Sequence, residues 1–339
     1  MSKIFNLTIQ FMAIKKTHFI LGFLFLASFA QAQTSAKGGT DWKDSSLIPP
    51  SRMAQHNEFL NNQYIFPAKP RNQWELGIKV GSPVINGDVS SVFPAFGYGL
   101  HLRKSLGYLL SVRAEYFHGT PTGLNWKPSS NYMFNSAWRD NGYKGHQIIT
   151  TGPNNAQSLV PAQDVVYYNY KSNINDLGVQ FVLSLSNIRF HKSVPKFQLY
   201  ALAGFGATYY ETKVDALNAS GGKYNFNAIG GGSFASRKDT KDALRSLLDG
   251  KYETAADSYG NLAGKLFGKT AKVSSTIGLG AAFKLSKRVN VALEHRMTFI
   301  TDDLLDGQRW NASPVGQATL TQDWDFYQFF SAGLNINIF

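Results

Sequence analysis

The chain contains no cysteine, so disulfides and lipid attachment through a cysteine are both excluded. Beyond its N-terminal segment it has no apolar run long enough for a membrane-spanning helix, which rules out a helical membrane protein. Zinc-ligand spacing, an EF-hand pattern and a nucleic-acid fold signature are also missing. Gly230-Gly231-Gly232 has no strand-to-helix setting and no following Lys-Ser pair, so it reads as a flexible loop and not as a phosphate cradle. What the 339 residues do have is glycine and large aromatics, with 31 Gly, 25 Phe and 16 Tyr. That mixture suits β-structure with tight turns.

Lys15 and Lys16 precede an apolar run over 19–30, and Ala30-Gln31-Ala32 fits the small-x-small rule for signal cleavage. The run is too short for a membrane anchor, so residues 1–32 are expected to be a signal peptide, with Met12 an alternative start. Loss of Lys3, Lys15 and Lys16 with it takes the formal charge from +12 to about +9. For an exported chain this excess points to anionic lipid headgroups or surface polysaccharide. Residues 33–71 are polar and carry Pro49, Pro50, Pro67 and Pro70. They read as an arm outside the main domain, with a short helix near 51–61.

The run 273–300 sets the pattern for the rest. Val273, Ile277, Leu279, Phe283 and Leu285 alternate with Ser274, Thr276, Gly278, Gly280 and Lys284. After Ser286-Lys287-Arg288, Val289, Val291, Leu293, Met297 and Phe299 alternate with Asn290, Glu294, Arg296 and Thr298. A period of two over about a dozen residues means a half-buried strand, and about nine to eleven tilted residues cross a bilayer. The same alternation recurs at 74–80, 97–103, 110–116, 177–185, 197–207 and 330–338, giving eight strands. Their connections alternate between short turns and longer segments. Two long insertions, 119–173 and 211–271, and a third at 301–325 all fall on one end. Residues 239–249 inside the second read as a helix stopped by Gly250. Transmembrane barrels pair short turns on one side with long loops on the other and have an even strand count. The expectation is all-β: an eight-stranded antiparallel transmembrane β-barrel over 72–339, with long external loops.

Residues 74–77 (WELG), 101–108 (HLRKSLGY), 289–296 (VNVALEHR) and 303–310 (DLLDGQRW) together resemble the barrel domain of OmpA-like outer-membrane proteins. The similarity spans roughly residues 70–339. It implies the outer membrane of a Gram-negative bacterium, with both termini periplasmic. The family's usual second part binds peptidoglycan and has no counterpart in these residues, so cell-wall tethering is not carried over. A terminal aromatic suits the barrel assembly signal, but Phe339 is out of phase with Ile338 and Ile336.

The inward parity carries Glu75, Lys79, His101, Arg103, Arg113, Glu115, Glu294 and Arg296. Glu115 and Glu294 could be read as paired carboxylates for acid–base catalysis. An ion-pair network filling a lumen just wide enough for its own side chains is favoured, because the charges balance and spread over several strands. His295 has outward parity, where an interfacial position outweighs catalysis. Asp302, Asp303 and Asp306 form an acidic loop cluster facing Asp323 and Asp325. It is a candidate cation site, though pairing with Arg309 or plain solvation is the stronger reading.

The expected role is therefore non-enzymatic: structural or interaction work in the envelope, with no cofactor, no metal and no nucleic acid. The expected partners are outer-membrane lipid, lipopolysaccharide and other envelope proteins. A small porin-like channel, a lipid-modifying enzyme and an adhesin are the alternatives.

Overall fold

The computed structural model describes residue 43 and residues 45–69, 74–151, 156–187, 197–256, 264–286, 288–311, 315–317, 319–321 and 323–338. The expected signal peptide and Phe339 lie outside them. Eight long strands form the barrel: β1 (Trp74–Asn86), β2 (Ser91–Ser105), β3 (Leu110–Leu124), β4 (Asn169–Ser184), β5 (Phe197–Val214), β6 (Lys269–Lys284), β7 (Val289–Ile300) and β8 (Phe326–Asn337). Each is antiparallel to both neighbours, and β1 pairs with β8 as well as β2, which closes the sheet. Closure leaves no free edge among these strands.

The two faces are inverted relative to a water-soluble protein. Ile78 pairs with Leu100 on one side and Leu334 on the other, and all three are exposed. Leu177, Val179, Phe181, Phe205, Ile277 and Leu279 continue this band, with Leu279 64 % exposed. Lys79, Arg113, Glu115, Glu294 and Arg296 are buried inside. A continuous apolar exterior around a charged interior is stable only when the exterior meets lipid. On β5 the outward apolar residues run from Leu199 to Ala207 and end at Tyr209. About ten residues at ~3.3 Å each, tilted by ~40°, span about 25 Å, the height of a barrel's lipid band.

Aromatic side chains mark one border. Tyr98, Tyr116 and His118 cluster on the outward face, with Tyr98 5.3 Å from the His118 ring. The Tyr116 hydroxyl donates to Asn175 Oδ1 at 2.9 Å. At the opposite end Lys104 Nζ stands 5.1 Å over the Trp74 ring. The barrel is tight enough that Gly280 is required: a Cβ there would fall 2.2 Å from Tyr200 Cζ.

Seven of the eight strands run beyond the alternating segments visible in the sequence, mostly at the loop end. The added turns carry hydroxyl, amide and tyrosine side chains inward, such as Tyr170, Ser172, Tyr210 and Thr212. The outward positions there turn polar as well, as at Lys171, Asn173, Glu211 and Lys213, which ends the apolar period on which sequence reading depends.

The described residues of the two long insertions pack against each other. They bury Tyr132, Trp138, Tyr143, Val166, Tyr167, Tyr224, Phe226 and Leu244 in one core. Trp138 meets Tyr143 edge-on at 5.4 Å, and Tyr143 stacks on Phe226 at 6.0 Å. The Tyr143 hydroxyl donates to Ala216 O and accepts from Tyr224 N, tying the first insertion to the second. A hairpin, Gln147–Thr151 with Ala156–Val160, projects from the first. The helix of the second insertion spans Arg237–Leu247, two residues earlier than the sequence suggested. In the arm, the helix Met53–Leu60 follows the prolines as expected. Ile48 and Ala68 bury together with Tyr108, which fastens the arm to the β2–β3 turn.

Candidate functional site

The lumen holds the charged residues that the period-two pattern placed inward. Lys79 Nζ lies 2.7 Å from Glu115 Oε2 and 2.6 Å from Glu294 Oε1. Arg113 Nη1 reaches Glu294 Oε2 at 2.7 Å, and its Nη2 reaches Glu115 Oε2 at 3.0 Å. Lys79, Glu115, Arg113 and Glu294 thus form a closed ring of alternating charge. Arg296 Nη1 adds a contact to Glu115 Oε1 at 2.6 Å, while its guanidinium lies 4.4 Å from the Phe117 ring centre. Tyr200 donates to Glu294, and Arg113 Nε donates to Gln180. The ring bridges β1, β3 and β7, and β3 and β7 are opposite walls of the barrel.

A second group sits nearer the turn end. Glu75 is 2.5 Å from Arg103 and 3.6 Å from His101 Nε2. The eight residues singled out in the sequence therefore form two clusters and not one. Asp176 belongs with them and was missed. It is buried on the inward face of β4, where Thr208 and Ser274 donate to its Oδ2 at 2.6 and 2.9 Å. The alternation in the sequence starts that strand at Leu177, eight residues after its first residue, Asn169, and just past Asp176.

Above the ring, Phe117 packs on Phe329 at 4.7 Å and stacks on Tyr327 at 5.6 Å. Above these, the loop after β7 turns inward. Leu304 and Leu305 are buried, and the Leu305 carbonyl accepts from the hydroxyls of Ser172 on β4 and Thr212 on β5. Tyr210 donates to Asp302, and Lys272 stands 3.4 Å from it. Residues 302–306 plug the loop end of the barrel.

This corrects the reading of the acidic cluster. Asp302 and Asp306 are buried rather than solvated, and Asp303 is partly buried with Thr321 donating to it. The side chain of Arg309 lies over the Trp310 ring at 5.1 Å. Asp306 accepts from Val89 N at 2.8 Å and Gln308 N at 2.9 Å, which joins the plug to the β1–β2 turn. Asp325 accepts from Asp306 N at 3.2 Å. A Cβ on Gly87 would fall 2.1 Å from Asp325 Oδ1 and 2.5 Å from Asp306 Oδ2, so the two carboxyls crowd one point. Burial, and then the nearby acids, raise Asp306 to about 7 and Asp325 to about 10. Two adjacent buried carboxyls cannot both ionise cheaply. The pair behaves as an acid that keeps a proton, and its oxygens serve backbone amides.

A third carboxylate group, Asp215, Asp249 and Glu253, has oxygens within 4.8 Å of one another. Here too the oxygens are engaged. Asp215 accepts from the Tyr224 hydroxyl and Gly250 N, and Glu253 from Ala216 N and Leu217 N. His295 bonds Gln328 at 2.9 Å and stacks on Phe330 at 4.2 Å, on the outward face.

No family model matches the chain, and no curated protein matches it. Among solved structures, it is similar to the Neisserial surface protein A, at 8 % identity over 78 % of this chain and 97 % of that one, with a TM-score of 0.36. A major outer membrane protein from Thermus thermophilus is similar at 10 % identity over 79 % and 99 %, with a TM-score of 0.36. The N-terminal β-barrel domain of Pseudomonas aeruginosa OprF is similar at 8 % identity over 78 % and 100 %, with a TM-score of 0.29.

Proposed function

We propose that this protein is a non-enzymatic barrel of the Gram-negative outer membrane with a structural or interaction role. Its turns and termini face the periplasm, and its folded loop head faces outward. The observation that carries this reading is the double closure of the lumen. The Lys79–Glu115–Arg113–Glu294 ring spans it at mid-height, and the Leu304–Leu305 plug fills its loop end. Buried pairs of this kind resist opening, because separating them leaves charges without partners. Glu115 and Glu294 are each held by two or more cations, which argues against use of either as a free acid or base.

The head supports an interaction role. A packed aromatic core fixes the loops as a rigid display surface, and rigid elements bind with less ordering cost than mobile ones. Reconstitution in a planar bilayer tests the closure. The wild-type barrel should show no steady conductance. Large ohmic channels would overturn this reading in favour of a porin.

A further inference from the structure

A cleft of about 370 Å³ opens on the outside of the barrel wall, just above the aromatic border. Thr120 on β3, Lys171 and Asn173 on β4, and Glu211 and Lys213 on β5 form its floor. All have outward parity, alternating with the buried Tyr170, Ser172, Tyr210 and Thr212. Gly250, Lys251 and Tyr252 form the outer wall. That wall is anchored: Gly250 N donates to the buried Asp215 at 2.7 Å, and Asp249 N donates to the Tyr224 hydroxyl at 3.0 Å.

Two observations point to an anion. The lining holds three lysines against one glutamate. Moreover, Lys171 and Lys213 are direct register partners on adjacent strands. Like charges directly opposite each other destabilise a sheet. Lys213 has Glu211 at 3.5 Å and Lys251 has Asp249 at 3.8 Å, whereas Lys171 has no acidic partner among the described residues. A negative group between the two lysines would turn this repulsion into attraction.

Position selects the kind of anion. Glu211 and Lys213 lie two and four residues beyond Tyr209 on β5. That places them about 5–10 Å above the apolar band, which is the depth of one headgroup layer. We propose that this cleft binds the phosphate of an anionic membrane lipid, with Lys171, Lys213 and Lys251 as its ligands. The lipid's chains would then run down past Tyr209 along Leu177, Val179 and Phe205, which are exposed on the same two strands. The inference rests on the transmembrane barrel and is independent of whether the lumen conducts.

The test uses the full chain in phosphatidylcholine bilayers with trace spin-labelled phosphatidylglycerol or phosphatidylcholine. Wild type should hold phosphatidylglycerol at least fivefold more tightly. K171A/K213A/K251A should lose that preference, and K127A/K144A/K238A, which removes equal charge elsewhere on the head, should keep it. An unchanged preference in the cleft variant, or none in wild type, would overturn the proposal. Displacement of the labelled lipid by millimolar inorganic phosphate would assign the cleft to a soluble anion and overturn it as well. None of these outcomes bears on the conductance measurement, so the two readings fail separately.

Discussion

Arg113 on β3 and Glu294 on β7 stand on opposite walls of the barrel and meet through two hydrogen bonds, at 2.7 and 3.1 Å. Removing Arg113 leaves Glu294 buried with Lys79 as its remaining cation, so the loss should stay below the about 3–5 kcal/mol of a buried charge left wholly alone. Arg113→Ala should therefore lower the unfolding temperature of the barrel in detergent, read as the shift from the compact to the extended band on an unheated gel. Adding Glu294→Gln should recover part of the loss. Recovery is partial because Glu294 also serves Lys79 and Tyr200. If the double variant were as unstable as the sum of the two singles, the pair would not be coupled.

Two exposed leucines separate lipid contact from plain exposure. Leu279 on β6 is 64 % exposed, and Leu159 in the loop hairpin is 50 % exposed. Arginine at Leu279 enters the apolar band and should cost about 2–4 kcal/mol. Arginine at Leu159 faces water and should change stability by less than about 0.5 kcal/mol. Equal effects in a denaturant titration would remove the case for a lipid-facing band.

Much of this was legible before any coordinates. Parity alone put Lys79, Arg113, Glu115, Glu294 and Arg296 on one face, because a strand's period of two survives whatever the barrel's register. Which cation meets which acid was not legible, since that depends on stagger between strands far apart in sequence. Asp176 escaped because the outward residues before it, Lys171, Asn173 and Asn175, are polar and give no apolar alternation. The head was misread for a different reason. Trp138, Tyr143, Tyr167 and Phe226 follow no local period, and the contacts of Phe226 with the other three form only when two insertions fold together. Polar composition between them looked like loose loop.

That packing sets the expected proteolysis. A head with a buried aromatic core should resist protease added to intact cells, apart from exposed tips. Trp138 is fully buried among Tyr143, Tyr168 and Phe226. Truncating such a ring costs about 3–5 kcal/mol. Trp138→Ala should open both insertions to rapid cleavage while the barrel strands stay protected. Equal cleavage rates in wild type and variant would mean that the core contributes little to order in the head.

The Asp306–Asp325 pair predicts a pH response at the loop end, beyond the membrane-spanning strands. Both acids are pushed above the ordinary 3.8 of aspartate by burial, with Asp88 and Asp303 adding to the rise at Asp306, and Asp306 and Asp303 at Asp325. A group whose folded value is raised binds its proton more tightly in the native state. Its contribution to stability is complete below about pH 4 and is lost as pH rises through the folded value. The plug should therefore loosen as pH rises through about 7, where Asp306 begins to ionise beside Asp325. Asp306→Asn removes the acid that ionises near 7, keeps one amide oxygen for the backbone N–H groups and leaves Asp325 protonated to about 10. It should flatten the pH dependence and slow backbone hydrogen exchange over 301–311 at pH 8 relative to wild type. Gly87→Ala should act in the opposite sense at every pH, because its methyl group would overlap both carboxyls. Parallel exchange profiles for wild type and Asp306→Asn between pH 5 and 9 would show that the pair carries no titrating strain.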